Sequence, residues 1–398
     1  MALGEYSSGE YDYLLPKQAI AQQPSEPRDG ARLLVCRGEQ ISTGWRVRDL
    51  PEILSPGDLL VFNATRTRRA RVFVRRPTGG RTELLFLRRL VPGQRSKWDP
   101  PLITACFPEV SGKPGEEANR GLSQISQGVS GTRDENSGGA ELQRWEVLAK
   151  PSRKLEVGME LTPEKAGGGC CYIRVEESKG EGHWEVTLIC GEHPCGQFFK
   201  RHGQLPLPPY FVGTLESEER YQTVFGDREG SAASPTAGLH FTKELLARLE
   251  NRKIRTAFVY LEIGADTLRP IRHPNVAANT VHSEACEVDD MTAHAVNETK
   301  KLGRKVVAVG TTVVRTLESF AASQGKVEAG RKLTNLFVAP GFRFQVVDAL
   351  MTNFHAPNTS MLYMVAAMYP GWRDAYLTAL REGFKFLSFG DAMLIYPK

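Results

Sequence analysis

The stretch Lys305-Val-Val-Ala-Val-Gly-Thr-Thr-Val-Val-Arg-Thr-Leu-Glu318 decides the fold. Residues 305–309 form a short run, apolar after Lys305 and rich in valine, too short for a helix and bounded by Gly310, which reads as a strand buried on both faces. After the glycine, residues 311–322 regain helical spacing. Immediately upstream, Asp289 and Asp290 open a second helical stretch ending near Leu302, with Gly303 where a helix-terminating glycine belongs. Further back, Thr242 is placed to cap a helix carrying Leu245, Leu246 and Leu249, and an apolar run at 257–263 follows. This alternation predicts an α/β layer architecture. Residues 58–62 (Asp-Leu-Leu-Val-Phe) give one more apolar strand in a segment too short to fold alone, so the N-terminal segment is expected to join the C-terminal half.

Between residues 66 and 204 the texture changes to short strands at 70–74, 82–90, 145–149, 170–175 and 183–189, separated by Gly/Pro turns, the pattern of a small β-barrel. The reading is a main α/β domain (residues 1–63 and 205–398) with an inserted small β-barrel domain (64–204). A loose excursion is expected at 110–139, which is rich in Gly, Ser, Glu and Asn. The chain has 398 residues, 41% hydrophobic and 24% charged, with a formal charge of +5, so disorder, collagen and coiled coil are excluded as global descriptions. Seven cysteines argue against a secreted disulfide framework. No targeting peptide is legible, and the uncharged stretch 349–372 is broken by Asn353, His355, Pro357 and Asn358, so no membrane span is expected. A cytoplasmic monomer is the expectation.

G-x-G-x-x-G, G-x-x-x-x-G-K-[ST] and H-E-x-x-H are all absent, which removes support for dehydrogenase, P-loop and zincin readings. Cys170, Cys171, Cys190, His193 and Cys195 cluster in sequence without C-x-x-C spacing, and read as inert buried thiols with no metal site. Four polar constellations lie where loops leave the α/β core. Ser234 to Phe241 sets His240 in a tight loop beside the Thr242 cap. In His282-Ser283-Glu284 an imidazole and a carboxylate share one side of an extended segment, an acid/base pair or a surface ion pair. Gly310-Thr311-Thr312 aims backbone N–H groups at an anion, with Arg315 one turn on, unless this is a plain helix start. Thr352-Asn353-Phe354-His355 and Ser388-Phe-Gly-Asp391 are polar islands between apolar runs.

Residues 64–98 carry eleven basic side chains, among them Arg66, Arg68, Arg69, Arg75 and Arg76, against the single acid Glu83. On strands they would make a positive face suited to a nucleic-acid backbone, or merely a solvated arginine surface.

With these residues in hand, the chain resembles the S-adenosylmethionine:tRNA ribosyltransferase-isomerases of the queuosine pathway. The resemblance rests on ordered blocks from Tyr11-Asp-Tyr13 to Asp391-Ala-Met-Leu-Ile395: Arg28-Asp29 with Ala31-Arg32-Leu33, Leu59 to Asn63, Pro206-Leu-Pro-Pro-Tyr210, Arg220-Tyr-Gln-Thr-Val224, Pro235 to Thr242, His282-Ser-Glu284, Val309-Gly-Thr-Thr312 with Val314 to Ser319, Thr352-Asn-Phe-His355 and Gly390-Asp-Ala-Met393. It implies an α/β domain with an inserted barrel, and transfer and isomerisation of the ribosyl part of S-adenosylmethionine onto 7-aminomethyl-7-deazaguanine in a tRNA anticodon loop. Epoxyqueuosine would form, and adenine and methionine would leave, with S-adenosylmethionine a substrate and no cofactor required.

The chemistry needs a base for the proton beside the sulfonium, an acid for departing adenine and donors for the opening sugar. The resemblance assigns His240, His282, Glu284, His355 and Asp391 to catalysis, and Arg32, Asn63, Tyr221, Thr311, Thr312, Arg315 and Asn353 to substrate. A ring from Tyr221, Phe241 or Phe354 would face the sulfonium. The arginines would hold tRNA while the target nucleotide leaves its stack. Ala64, Glu262, Asp266 and Cys286 stand where the family usually has Asp, His, Gly and Tyr, so a catalytically silent tRNA-binding relative is the alternative.

Overall fold

The computed structural model describes residues 8–90, 141–164, 171–191, 194–264, 279, 281 and 283–397. The expected excursion at 110–139 and the residues Cys170, His193, Asp266 and His282 lie outside the described residues. The chain divides into two compact units, Met1–Arg71 with Gln204–Lys398, and Val72–Gly203.

The first unit is built on a nine-stranded mixed sheet. Its order is Gly330–Thr334, Glu284–Val288, Arg255–Leu261, Leu59–Asn63, Val306–Val309, Ala349–Asn353, Ala392–Ile395, Arg32–Arg37 and Gln40–Arg46. Arg255–Leu261, Leu59–Asn63, Val306–Val309 and Ala349–Asn353 run parallel, so the N-terminal segment supplies a central strand to the C-terminal half. Every residue of Leu59–Asn63 and Val306–Val309 is buried, because both faces of the sheet are covered. Alternate residues feed two separate cores: Leu59, Val61, Val306 and Ala308 pack on one side, and Leu60, Phe62, Val307 and Val309 on the other. Truncating a residue such as Leu60 to Ala would cost about 2–5 kcal/mol.

The helices begin where the sequence places caps. The Thr242 hydroxyl accepts from Leu245 N at 3.0 Å and opens Lys243–Asn251, and Asp289 accepts from Thr292 N at 2.7 Å and opens Asp290–Lys301. Gly310, at φ 98°, starts Thr311–Ser319 in a conformation that strains any residue with a Cβ. Residues 64–71 stay with this unit, because Thr65–Thr67 pairs in parallel with Arg228–Ser231. The sequence reading had broken the chain earlier, after Asn63.

The second unit is a closed ring of six strands, Arg71–Arg75, Arg81–Leu90, Glu141–Lys150, His183–Cys190, Cys171–Gly180 and Glu160–Pro163, the last pairing back onto the first. Closure pairs the first and last strands of the ring with each other. Glu160–Pro163 was not legible in the sequence: it is short and carries a proline, which demotes a strand signal. Among the described residues, no helix is long and apolar enough to cross a membrane.

Candidate functional site

A cavity of about 130 Å³ opens in the first unit where its parallel strands end, the position at which open α/β sheets take ligands. Three of these strands contribute: Gly310, Thr311 and Thr312 follow Val306–Val309, Asn353 ends Ala349–Asn353 with His355 just beyond it, and Ile263 follows Arg255–Leu261. The loop Ser234–Ala237 and residues Tyr210, Tyr221, Thr359, Met361, Leu387 and Ser388 are also part of the lining. The wall is apolar and hydroxyl-rich, and among the described residues no carboxylate lines it.

Among the described residues, His355 is the one imidazole that lines the cavity. Its N–H donates to the Tyr376 hydroxyl at 3.1 Å, its carbonyl accepts from the Tyr13 hydroxyl, and ring Nε2 lies 2.9 Å from Thr352 Oγ1. Burial pushes its pKa down to about 3, so the ring is neutral at physiological pH. His240 stands behind this wall, with Nε2 3.1 Å from Asn353 Nδ2. Burial first, and the Arg28 guanidinium second, push it down to about 4. Asn353 links the two walls: Nδ2 also donates to the Leu387 carbonyl at 3.2 Å, and Oδ1 accepts from Thr236 Oγ1 at 3.1 Å.

Tyr221 is buried against Phe389, with ring centroids 5.7 Å apart, and its hydroxyl is raised by burial. Tyr210 and Ser388 share a hydrogen bond through their hydroxyls, and Tyr210 also accepts from Ser388 N at 3.2 Å. The Ser234 hydroxyl is buried and has no hydrogen-bond partner among the described residues. A buried polar atom in a cavity wall left without a partner is a contact available to a ligand.

Other nominated residues do not reach the cavity. Glu284 and Arg315 form a buried ion pair with each other. Glu284 Oε1 also accepts from Gly264 N at 2.7 Å, and Arg315 donates to the carbonyls of Leu336 at 3.1 Å and Thr334 at 3.4 Å. The carboxylate and the guanidinium are therefore engaged with each other and with backbone groups. Both oxygens of Asp391 accept backbone N–H groups, from Arg32 at 2.7 Å and Lys385 at 2.8 Å. Burial raises its pKa. Asp391 fastens the segment before the last strand and takes no part in lining the cavity.

Arg32 lies over the Phe384 ring, 3.8 Å from its centroid, and donates to the Glu382 carbonyl at 2.7 Å. Asn63 is consumed by bonds to Thr65, to both backbone groups of Leu261 and to Thr312 Oγ1. It sets Thr312 without lining the cavity itself. Phe241 and Phe354 are core rings.

The arginine-rich segment is less bare than its sequence implies, because acids from distant positions meet it. Arg66 pairs with Glu219, Arg69 with Glu218 at 2.8 Å, and Arg75 with Glu164 at 2.8 Å. Arg76 donates to the Gly80 carbonyl at 3.3 Å. Burial pushes Arg68 down to about 10, with Glu262 and Glu229 opposing the shift. The structure thus sets Glu164, Glu218 and Glu219 beside arginines whose own stretch of sequence holds only Glu83. Two of the departures from the family pattern, Glu262 and Cys286, line a second, smaller hollow with Arg228 and Arg331.

The lining residues that sequence reasoning missed had weak signals. Ser234 opens the quoted Ser234 to Phe241 loop, Tyr210 closes Pro206 to Tyr210, and Thr359 is the cap of Ser360–Met368. Nothing in a local pattern separates a cap or a turn hydroxyl from one that faces a cavity.

A family model described as queuosine biosynthesis protein matches residues 8–395. The S-adenosylmethionine:tRNA ribosyltransferase-isomerase of Gloeobacter violaceus is 38% identical over 395 residues, covering 99% of this chain and 97% of that protein. The protein of the same name from Rubrobacter xylanophilus is 41% identical over 390 residues, 97% of this chain and 96% of the other. A crystal structure of an S-adenosylmethionine tRNA ribosyltransferase from Thermotoga maritima is 28% identical and covers 97% of this chain and 99% of that one, at a TM-score of 0.48.

Proposed function

This chain belongs to the queuosine biosynthesis protein family, and from that premise we propose how its cavity serves the S-adenosylmethionine:tRNA ribosyltransferase-isomerase reaction named for its relatives. The observation that carries the reading is that His355 and the N-terminus of helix Thr311–Ser319 face one cavity from adjacent strand ends. The helix N-terminus suits the carboxylate of the methionine moiety. The Ser234 hydroxyl and the Tyr210–Ser388 pair suit polar edges of ribose or adenine, and Tyr221 offers a ring to the sulfonium.

Neutral His355 then acts as the base. It accepts the proton from the ribose carbon beside the sulfonium and, as imidazolium, delivers it to a nitrogen of adenine as the glycosidic bond breaks. His240 and Asn353 hold this wall in register. The acceptor is the aminomethyl group of 7-aminomethyl-7-deazaguanine in a tRNA anticodon loop, and the product is epoxyqueuosine with adenine and methionine released. The enzyme works in the cytoplasm as a monomer, with S-adenosylmethionine as a substrate and with no metal or other cofactor. Arg66, Arg68, Arg69, Arg75 and Arg76 contribute to tRNA retention, weakened at Arg66, Arg69 and Arg75 by the acids they already meet. High identity along nearly the whole chain favours an enzyme over a silent tRNA-binding relative.

The test is release of adenine from labelled S-adenosylmethionine by the purified protein, with and without tRNA bearing the precursor base. Release that needs that tRNA is the expected result. Tight tRNA binding with no adenine would leave only the silent relative.

A further inference from the structure

We propose that Cys171 and Cys190 form a reversible cross-strand disulfide in the barrel, a modification site independent of the cavity. The two residues stand directly opposite each other in the antiparallel ladder between Cys171–Gly180 and His183–Cys190. Their sulfurs are 2.9 Å apart, inside van der Waals contact and approaching the covalent distance. Directly opposed residues on antiparallel strands bring their Cα atoms to about 4.5–5.5 Å, within the range a disulfide spans.

A third thiol completes the group. Cys195 begins the helix Cys195–His202, and Glu141, itself opposite Cys190 in the ladder, fixes it: Oε2 accepts from Cys195 N at 2.8 Å, and the Glu141 carbonyl accepts from the Cys195 thiol at 3.4 Å. The hydrogen bond with Cys195 and then burial raise the Cys190 thiol, so it stays protonated at rest. Cys190 and Cys195 are buried and Cys171 is half-buried, which sets the order of events.

Cys171, as thiolate, attacks one sulfur of a small-molecule disulfide and expels one thiolate. Cys190 then attacks the Cys171 sulfur, passing its proton to the second departing thiolate. One S–S bond forms in the barrel, one breaks in the oxidant, and the oxidant leaves as two thiols. Cys36 and Cys286 are buried in the other unit and serve as internal controls.

The experiment treats the full-length reduced protein with oxidised glutathione and identifies linked tryptic peptides by mass spectrometry. Expected is a pair joining 166–174 to 180–200, about 2 Da lighter than the two reduced peptides together. Expected too is a thermal midpoint raised by several degrees and restored by dithiothreitol. Cys171→Ser and Cys190→Ser should each cut the yield of that pair by at least about tenfold, and Cys195→Ser by less than about twofold. A pair that persists in Cys171→Ser overturns the assignment. So does stoichiometric zinc or copper in the protein as purified that protects these thiols until chelated, because the cluster would then be a metal site. Failure of adenine release bears only on the cavity and leaves this result untouched.

Discussion

Two walls of the first unit began as equals in the sequence and part company in the structure. One carries His355, Asn353 and, behind them, His240; the other carries Glu284 and Arg315. In the first, groups that burial holds neutral line or back the cavity. In the second, opposite charges found each other and turned inward. A buried charge must be paired, and the pairing removes it from chemistry, whereas a buried neutral imidazole can remain available. The more conspicuous charged motif is the one whose charges are already paired.

The sharpest way to break this contrast is Glu284→Gln, which leaves Arg315 without its anion. Stability should fall by on the order of 3–5 kcal/mol in denaturant titration, while adenine release per folded molecule stays near normal. Release that collapsed in a fully folded variant would move Glu284 into the mechanism.

Acid titration comes next. Both imidazoles have folded pKa values below the unfolded value of about 6.5, at about 4 for His240 and about 3 for His355. As pH falls through 6.5 the unfolded chain takes up these protons first, so stability is full above that pH and declines toward 4 by a few kcal/mol. His240→Gln and His355→Gln should each flatten the curve of thermal midpoint against pH, and an unchanged slope in both would mean that the rings are not buried neutral.

His355→Gln should lower adenine release by roughly a hundredfold. Asn353→Ala, which loosens His240 and Thr236 without removing the base, should lower it by about tenfold. The smallest effects belong to the arginines: Arg66→Ala or Arg69→Ala should each reduce the salt slope of tRNA binding by less than about one, because each already has an acid partner. A full unit would mean that the ion pair opens on the nucleic acid.

Much of the fold was legible because its signals are local. The run Val306 to Val309, the glycine at 310 and the caps Thr242 and Asp289 act within a few residues, and each appears where the sequence places it. The site was legible only in part. Tyr221, Thr311, Thr312, Asn353 and His355 line the cavity, while the polar groups of Arg32, Asn63, Glu284, Arg315 and Asp391 meet other groups of the protein. Asp391 is instructive: an acid before a strand looks catalytic, yet its oxygens answer to the backbone N–H groups of Arg32 and Lys385.

The sequence by itself determined the family, the α/β framework and the barrel, since periodicity, caps and ordered motif blocks are properties of neighbouring residues. Only the tertiary structure decided which polar groups keep an open valence. Glu284 meets Arg315 from 31 residues away, and Arg66 meets Glu219 from 153. Whether a charge is free depends on such distant partners, and no local pattern encodes them.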